Sequence, residues 1–115
     1  MSRNYRLFLE DIAESCGKIL RYVNGMTFEQ FTGDGKTYDA VLRNLEIIGE
    51  AVKNLPDEIR GRYPGIEWKK IAGLRDIVAH EYFGVDQRIV WDIVQNKLPA
   101  LKDQIEALLQ EESGD

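Results

Sequence analysis

The chain has 115 residues, 43% hydrophobic and 30% charged, with a formal net charge of −5. That length suits one domain, residues 1–115, around a single core. The negative balance excludes binding nucleic acid through the overall field, so any nucleic acid has to meet a local patch.

Cys16 is the one cysteine, which excludes an intrachain disulfide. Set among helical apolar positions, it reads as a small buried hydrophobe rather than a reactive thiol. No apolar run approaches membrane-spanning length. The N-terminal stretch leads directly into an amphipathic segment carrying Glu10, Asp11 and Glu14, with nothing resembling a signal peptide, so the expected location is the cytoplasm.

Residues 5–23 are predicted to be a long helix. Phe8, Ile12, Ile19 and Val23 recur at helical spacing with Leu9, Cys16 and Leu20 beside them, and Asn24-Gly25 ends it. Thr27 and Gln30 have the spacing of a capping box, predicting a short helical turn that packs Phe28 and Phe31 before Gly33-Asp34-Gly35 breaks it. Residues 37–55 are predicted as the second long helix, with the seam Val41, Leu45, Ile48, Val52 and Leu55. A second stripe, Ala40, Asn44, Ile47 and Ala51, is smaller and more polar. Small residues permit close helix approach, which slightly favours a subunit contact there over a solvated face.

Pro56 suits the first turn of a short helix, and Tyr63-Pro64-Gly65 is a turn. From Ile66 the pattern is helical again through Trp68, Ile71, Leu74, Ile77 and Val78. Gly84-Val85 ends this stretch, and Asp86 is positioned to cap the next helix. Residues 87–110 complete the pattern with Val94, Leu98, Leu101, Ile105 and Leu108. Pro99 predicts a kink or break near Asn96–Leu98. Residues 111–115 form an acidic tail expected to fray. The periodicity is helical throughout, so the expected architecture is all-α, a single-domain bundle of four to five helices.

Within the acidic chain, residues 60–88 are locally basic: Arg60, Arg62, Lys69, Lys70, Arg75 and Arg88 outnumber Glu67, Asp76, Glu81 and Asp86. Scattered charges are usually a solvated face; the alternative is a cationic groove around His80, the one histidine. Arg75 carries a planar, permanently charged donor suited to phosphate, and His80 titrates near neutral pH. Together they suit metal-independent phosphodiester cleavage, with the histidine moving protons and the arginine stabilising charge on the phosphoryl oxygens. One histidine and one cysteine without HExxH or CxxC spacing make a zinc site unlikely on sequence grounds. Gly33–Thr37 lacks the spacing of a phosphate loop.

Helical geometry constrains the pair. Asp76 lies one turn before His80 and could orient its imidazole. Arg75 and His80, five residues apart, diverge by about 140° on a straight helix. Three resolutions stand: the helix deforms near Ala79, Arg75 uses its reach, or two copies of the chain share the site. Cleavage by a ribose 2′-hydroxyl is best served by both an acid and a base, and a two-fold dimer would supply a second His80. Against this, a lone helical histidine is more often structural than catalytic, Tyr82 and Phe83 read equally well as core aromatics, and Trp68 and Trp91 read as core.

Arg75-x4-His80-x-Tyr82 matches the R-x4-H-x-Y motif, and the flanks extend the match: Arg43–Ala51, Ile71–Asp76 and Tyr82–Asp86. On these residues the chain resembles the HepT-like toxins of the HEPN superfamily over residues 4 to 109. The resemblance implies a homodimeric helical bundle acting on RNA as a metal-independent ribonuclease without a cofactor. Arg75 and His80 would be its catalytic pair in a cleft between protomers, assisted by Asp76. It further implies a partner antitoxin, a minimal nucleotidyltransferase of the MNT type, that silences the toxin by adenylylating Tyr82, in a bacterial or archaeal cytoplasm. Ala79 is smaller than the residue expected before the motif histidine. The alternatives are a non-catalytic HEPN partner that binds nucleotide or substrate for such a transferase, or a helical assembly module using the Ala40, Asn44, Ile47 and Ala51 stripe.

Overall fold

In the computed structural model, residues 4–81 and 86–113 are described, without the side chains of Asn4, His80, Glu81 and Ser113. Every regular element among them is helical: α1 (Asn4–Val23), α2 (Phe28–Gly33), α3 (Gly35–Lys53), α4 (Asp57–Arg62), α5 (Trp68–Ala72), α6 (Leu74–Glu81), α7 (Gln87–Asn96) and α8 (Leu98–Ser113). The all-α expectation holds. The division is finer than four to five helices because two short turns and a glycine break add segments.

In α1 the apolar face Leu9, Ile12, Cys16, Ile19 and Val23 is buried, while Phe8 is only half-buried at its margin. Gly25 takes a positive φ of 79°, the left-handed turn that glycine makes without steric cost. Cys16 is fully buried, and burial pushes its thiol up to about 12, which suppresses the reactive thiolate. The capping box forms at α2: Gln30 N–H donates to Thr27 Oγ1 at 3.1 Å and Thr27 N–H to Gln30 Oε1 at 2.9 Å.

The start of α3 lies two residues before the predicted one. Asp34 Oδ1 accepts from Thr37 N–H at 3.2 Å and Oδ2 from the Thr37 hydroxyl at 2.9 Å. This satisfies the first orphan donors of the helix and lets Gly35 join it. The same bonds hold the Asp34 carboxyl below its ordinary value. Val41, Leu45, Ile48 and Val52 are fully buried, as their spacing predicts.

The second stripe on α3 needs correction. Asn44 and Ala51 are buried within the chain, and Asn44 Nδ2 donates to the Ala40 carbonyl at 2.8 Å. Packing by α1 on one side and by α5 and α6 on another leaves only Ala40 and Ile47 half-buried. Two of the four residues read as a subunit face are thus buried within the chain.

Residues 66–81 are not one helix. Gly73 separates α5 from α6, with its N–H bonded to Lys69 O at 3.1 Å. Trp68 is buried, and its indole N–H reaches the carbonyls of Arg60 at 3.1 Å and Tyr63 at 3.0 Å. Asp86 caps α7, accepting from Arg88 N–H at 2.8 Å. The break between α7 and α8 falls at Lys97, placing Pro99 in a first turn where the missing N–H costs nothing. Trp91 is half-buried rather than core; its ring lies 4.9 Å from that of Phe31 and 6.3 Å from that of Phe28. The end assigned to Gly84-Val85 lies outside the described residues.

The three longest helices make the frame. α1 packs along α3 and α8, α3 carries α5 and α6, and α7 lies on α8. Helix α8 continues through Ser113, and Glu112 is tied into the bundle rather than free in an acidic tail. Its carboxylate, 6% exposed, pairs with Arg62 Nη1 at 2.9 Å. It also accepts from the Tyr5 hydroxyl at 3.0 Å and from the Tyr63 hydroxyl. One carboxylate thus joins the start of α1, the end of α4 and the end of α8. Among the described residues no helix is long and apolar enough to cross a membrane.

The bond from Tyr63, with those from Arg62 and Tyr5, holds Glu112 below the ordinary glutamate value of 4.5. A depressed folded value means that the unfolded chain binds the extra proton, so this stabilisation is full above that ordinary value and is lost as pH falls through the folded one. Glu112→Gln is expected to cost about 2 kcal/mol at pH 7, with the gap to wild type closing as the pH is lowered below 4.5. Urea unfolding across pH checks this; a gap that does not change with pH would remove Glu112 as the titrating group.

Candidate active site

The candidate residues lie on and just beyond α6, and a glycine on α3 fixes where that helix runs. A Cβ at Gly49 would come within 2.9 Å of Arg75 Cγ, 3.0 Å of Arg75 N and 3.2 Å of the Ala72 carbonyl oxygen. Two of these three are backbone atoms, which cannot swing aside. Only the absence of a side chain lets the start of α6 approach α3 this closely.

Arg75 leaves α6 toward α3. Its Nη1 pairs with Glu50 Oε2 at 2.9 Å, with 41% of the arginine side chain and 53% of the glutamate exposed. The pair sits in a cleft of about 330 Å³ whose lining includes Phe8, Asp11, Arg43, Glu46 and Asn54. Asp11, Glu46 and Glu50 face Arg43 and Arg75 there, and Arg43 is itself paired with Glu46 at 3.1 Å. Carboxylates outnumber guanidinium groups, so the interior of the cleft suits holding an arginine better than holding a phosphate.

Helix α6 runs without interruption from Leu74 to Glu81. No break falls near Ala79, and the helical run is interrupted earlier, at Gly73. Along an unbroken helix position 80 stays about 140° around from position 75. Arg75 is drawn to α3, while position 80 lies one turn beyond Asp76, which is exposed in the first turn of α6. His80 is described as a helical position only, and Tyr82 lies outside the described residues. The structure thus places Arg75 and Asp76 and puts residue 80 on the same short helix, without converging 75 and 80 through the helix itself.

The cationic groove read from residues 60–88 is largely neutralised by local pairs. Arg60 pairs with Asp57 and Arg62 with Glu58 and Glu112. Lys70 pairs with Glu67 at 2.9 Å and Arg75 with Glu50. Most of these partners lie one helical turn away, which the sequence-wide charge count hides. Glu50 is the site residue that motif reading overlooks. It was visible only as one member of the Arg43–Ala51 stretch, and nothing in its spacing from Arg75 signals contact. Among the described residues no group of three or more His, Cys, Asp or Glu side chains is arranged to hold a metal ion.

Residues 12–108 match the family model described as Ribonuclease HepT-like. The chain belongs to the HepT-like ribonuclease family of the HEPN superfamily. A Methanocaldococcus jannaschii protein provisionally named an RNase is 46% identical over 113 residues, covering 98% of this chain and 93% of its own. One from Caldanaerobacter subterraneus subsp. tengcongensis, named likewise, is 46% identical over 107 residues, covering 93% and 96%. One from Thermococcus cleftensis, provisionally named ribonuclease HepT, is 44% identical over 108 residues, covering 94% and 98%. No solved structure matches.

In this HepT-like chain the contact at Gly49 has a direct test. Gly49→Ala is expected to destabilise the fold by about 2 kcal/mol through overpacking against backbone. Denaturant unfolding measures it, and an unchanged midpoint would show that α6 shifts away from α3 without penalty.

Proposed function

We propose that this chain is a metal-independent endoribonuclease, the toxin of a HEPN/MNT toxin–antitoxin pair. Membership in the HepT-like ribonuclease family, across nearly the whole chain, carries the reading. Two features of the site support it: Arg75 is half-exposed beside α3, and His80 follows five positions later on the same unbroken helix.

The 2′-hydroxyl oxygen of a ribose attacks the adjacent phosphorus while the bond from phosphorus to the 5′-oxygen breaks. The products are a 2′,3′-cyclic phosphate and a 5′-hydroxyl end. One His80 takes the proton from the 2′-hydroxyl, and the His80 of a second copy protonates the departing oxygen. Arg75 stabilises the charge on the non-bridging oxygens, and Asp76 orients the imidazole. The divergence of positions 75 and 80 along α6 supports a homodimeric site, in which one protomer's arginine serves a histidine it does not reach along its own helix. Single-stranded RNA or exposed loops are the substrates whose 2′-hydroxyls and bases are open to such a cleft.

Tyr82, two residues beyond His80, is the proposed point of control. Adenylylation of its hydroxyl by the cognate minimal nucleotidyltransferase antitoxin adds a bulky group and negative charge where phosphate must bind, which opposes RNA. The protein is expected to act in the cytoplasm.

The purified protein should cleave single-stranded RNA in excess EDTA. His80→Ala and Arg75→Ala should each lower the rate by about 100-fold or more while the far-ultraviolet circular dichroism is unchanged. Chelator-sensitive cleavage, or full activity in His80→Ala, would sink the reading. Co-expression with a cognate minimal nucleotidyltransferase should add AMP-sized mass that is absent from Tyr82→Phe. The same added mass on Tyr82→Phe would move the acceptor elsewhere.

A further inference from the structure

From the contact between α3 and α6 we infer that Glu50 is the positioning residue for Arg75, holding its guanidinium at the edge of the cleft for phosphate. The inference rests on the ribonuclease reading for its chemistry, while the contact itself is a feature of the fold.

Three observations converge on Glu50. First, the ion pair joins different helices, Nη1 to Oε2 at 2.9 Å, so it fixes the arginine relative to the frame of the bundle rather than to its own turn. Second, Gly49 immediately before it brings the backbone of residue 75 against α3. Adjacent residues therefore set the root and the head of the same side chain: glycine admits the backbone, and glutamate restrains the far end. Third, the contact uses one terminal nitrogen and leaves the pair about half exposed. Among the described residues no other partner takes up the planar fork, whose geometry lets arginine bind phosphoryl oxygens through two nitrogens at once.

The charge of the cleft favours this role over a nucleotide pocket. With Asp11 of α1 and Glu46 and Glu50 of α3 all lining the cleft, a phosphate entering it would meet carboxylates. One approaching from the open side of Arg75 meets the guanidinium first. A flexible arginine would lose rotamer freedom at each encounter with RNA. An arginine already held by Glu50 loses less, and the advantage appears most strongly where its geometry matters, in the transition state. Glu50 touches no reacting atom; it acts through Arg75.

The test combines a kinetic cycle with a direct view of the side chain. In the full-length protein, Glu50→Ala should lower kcat by about 10-fold or more with little change in KM. In an Arg75→Ala background the same change should cost less than about two-fold, because the group it positions is gone. Glu50→Asp should recover part of the loss. The 15N relaxation of the Arg75 Nε–H should report an ordered side chain in wild type and a mobile one in Glu50→Ala, at unchanged melting temperature. Equal losses in both backgrounds, or an Arg75 signal equally ordered without Glu50, would overturn the proposal. Wild-type protein that leaves RNA intact would overturn the ribonuclease reading alone, and the relaxation measurement would still decide whether Glu50 holds Arg75.

Discussion

The close approach of α3 and α6 at Gly49 is the contact on which the candidate site depends. Helices usually pack 8–10 Å apart because side chains intervene. Here a glycine faces the first turn of α6, and Arg75 backbone and side-chain atoms occupy the space a methyl would need. The approach puts Arg75 within reach of Glu50. A break at Gly73 separates α5, anchored by Trp68, from α6, and both segments pack on α3.

Electrostatics in this molecule is organised locally. The chain is acidic overall, and its basic segment is mostly stitched to neighbouring carboxylates one turn away. Exposed pairs of that kind add little stability, but they remove the long-range positive field a generic RNA binder would show. Among the described residues, the carboxylates that join distant segments are Glu50, with Arg75, and Glu112, with Arg62, Tyr5 and Tyr63. One lies at the candidate site, and the other clamps both ends of the chain to the frame. Recognition of a polyanion by such a surface depends on a few placed groups rather than on net attraction, consistent with a proposed site completed by a second protomer.

The helical frame was legible in the residues for ordinary reasons. Apolar seams on α1, α3 and α8 repeat at helical spacing, and nearly all their members are buried, with Phe8 and Leu20 half-buried at the margin. Caps at Thr27 and Asp86 form where they were expected, while Asp34, read only as part of a glycine break, also caps α3. Breaks were less legible. Gly73 reads as a tolerable glycine within one helix, yet it ends α5 and separates it from α6. The stripe containing Asn44 and Ala51 looked free for a partner because periodicity records that a face is small or polar, not what covers it.

What the sequence by itself determined is the helical class, the main seams and caps, the inert burial of Cys16, and the R-x4-H-x-Y spacing by which the HepT-like family was recognised. These depend on neighbours within a few residues, where the helical repeat converts spacing directly into shared faces. Tertiary structure alone decided that Arg75 turns to Glu50, 25 positions earlier in the chain. It also decided that Glu112 gathers Arg62, Tyr5 and Tyr63, and that the basic segment is largely neutralised. Such pairings depend on how helices far apart in sequence approach one another. No local periodicity encodes that distance, because a single glycine between two helices can set it.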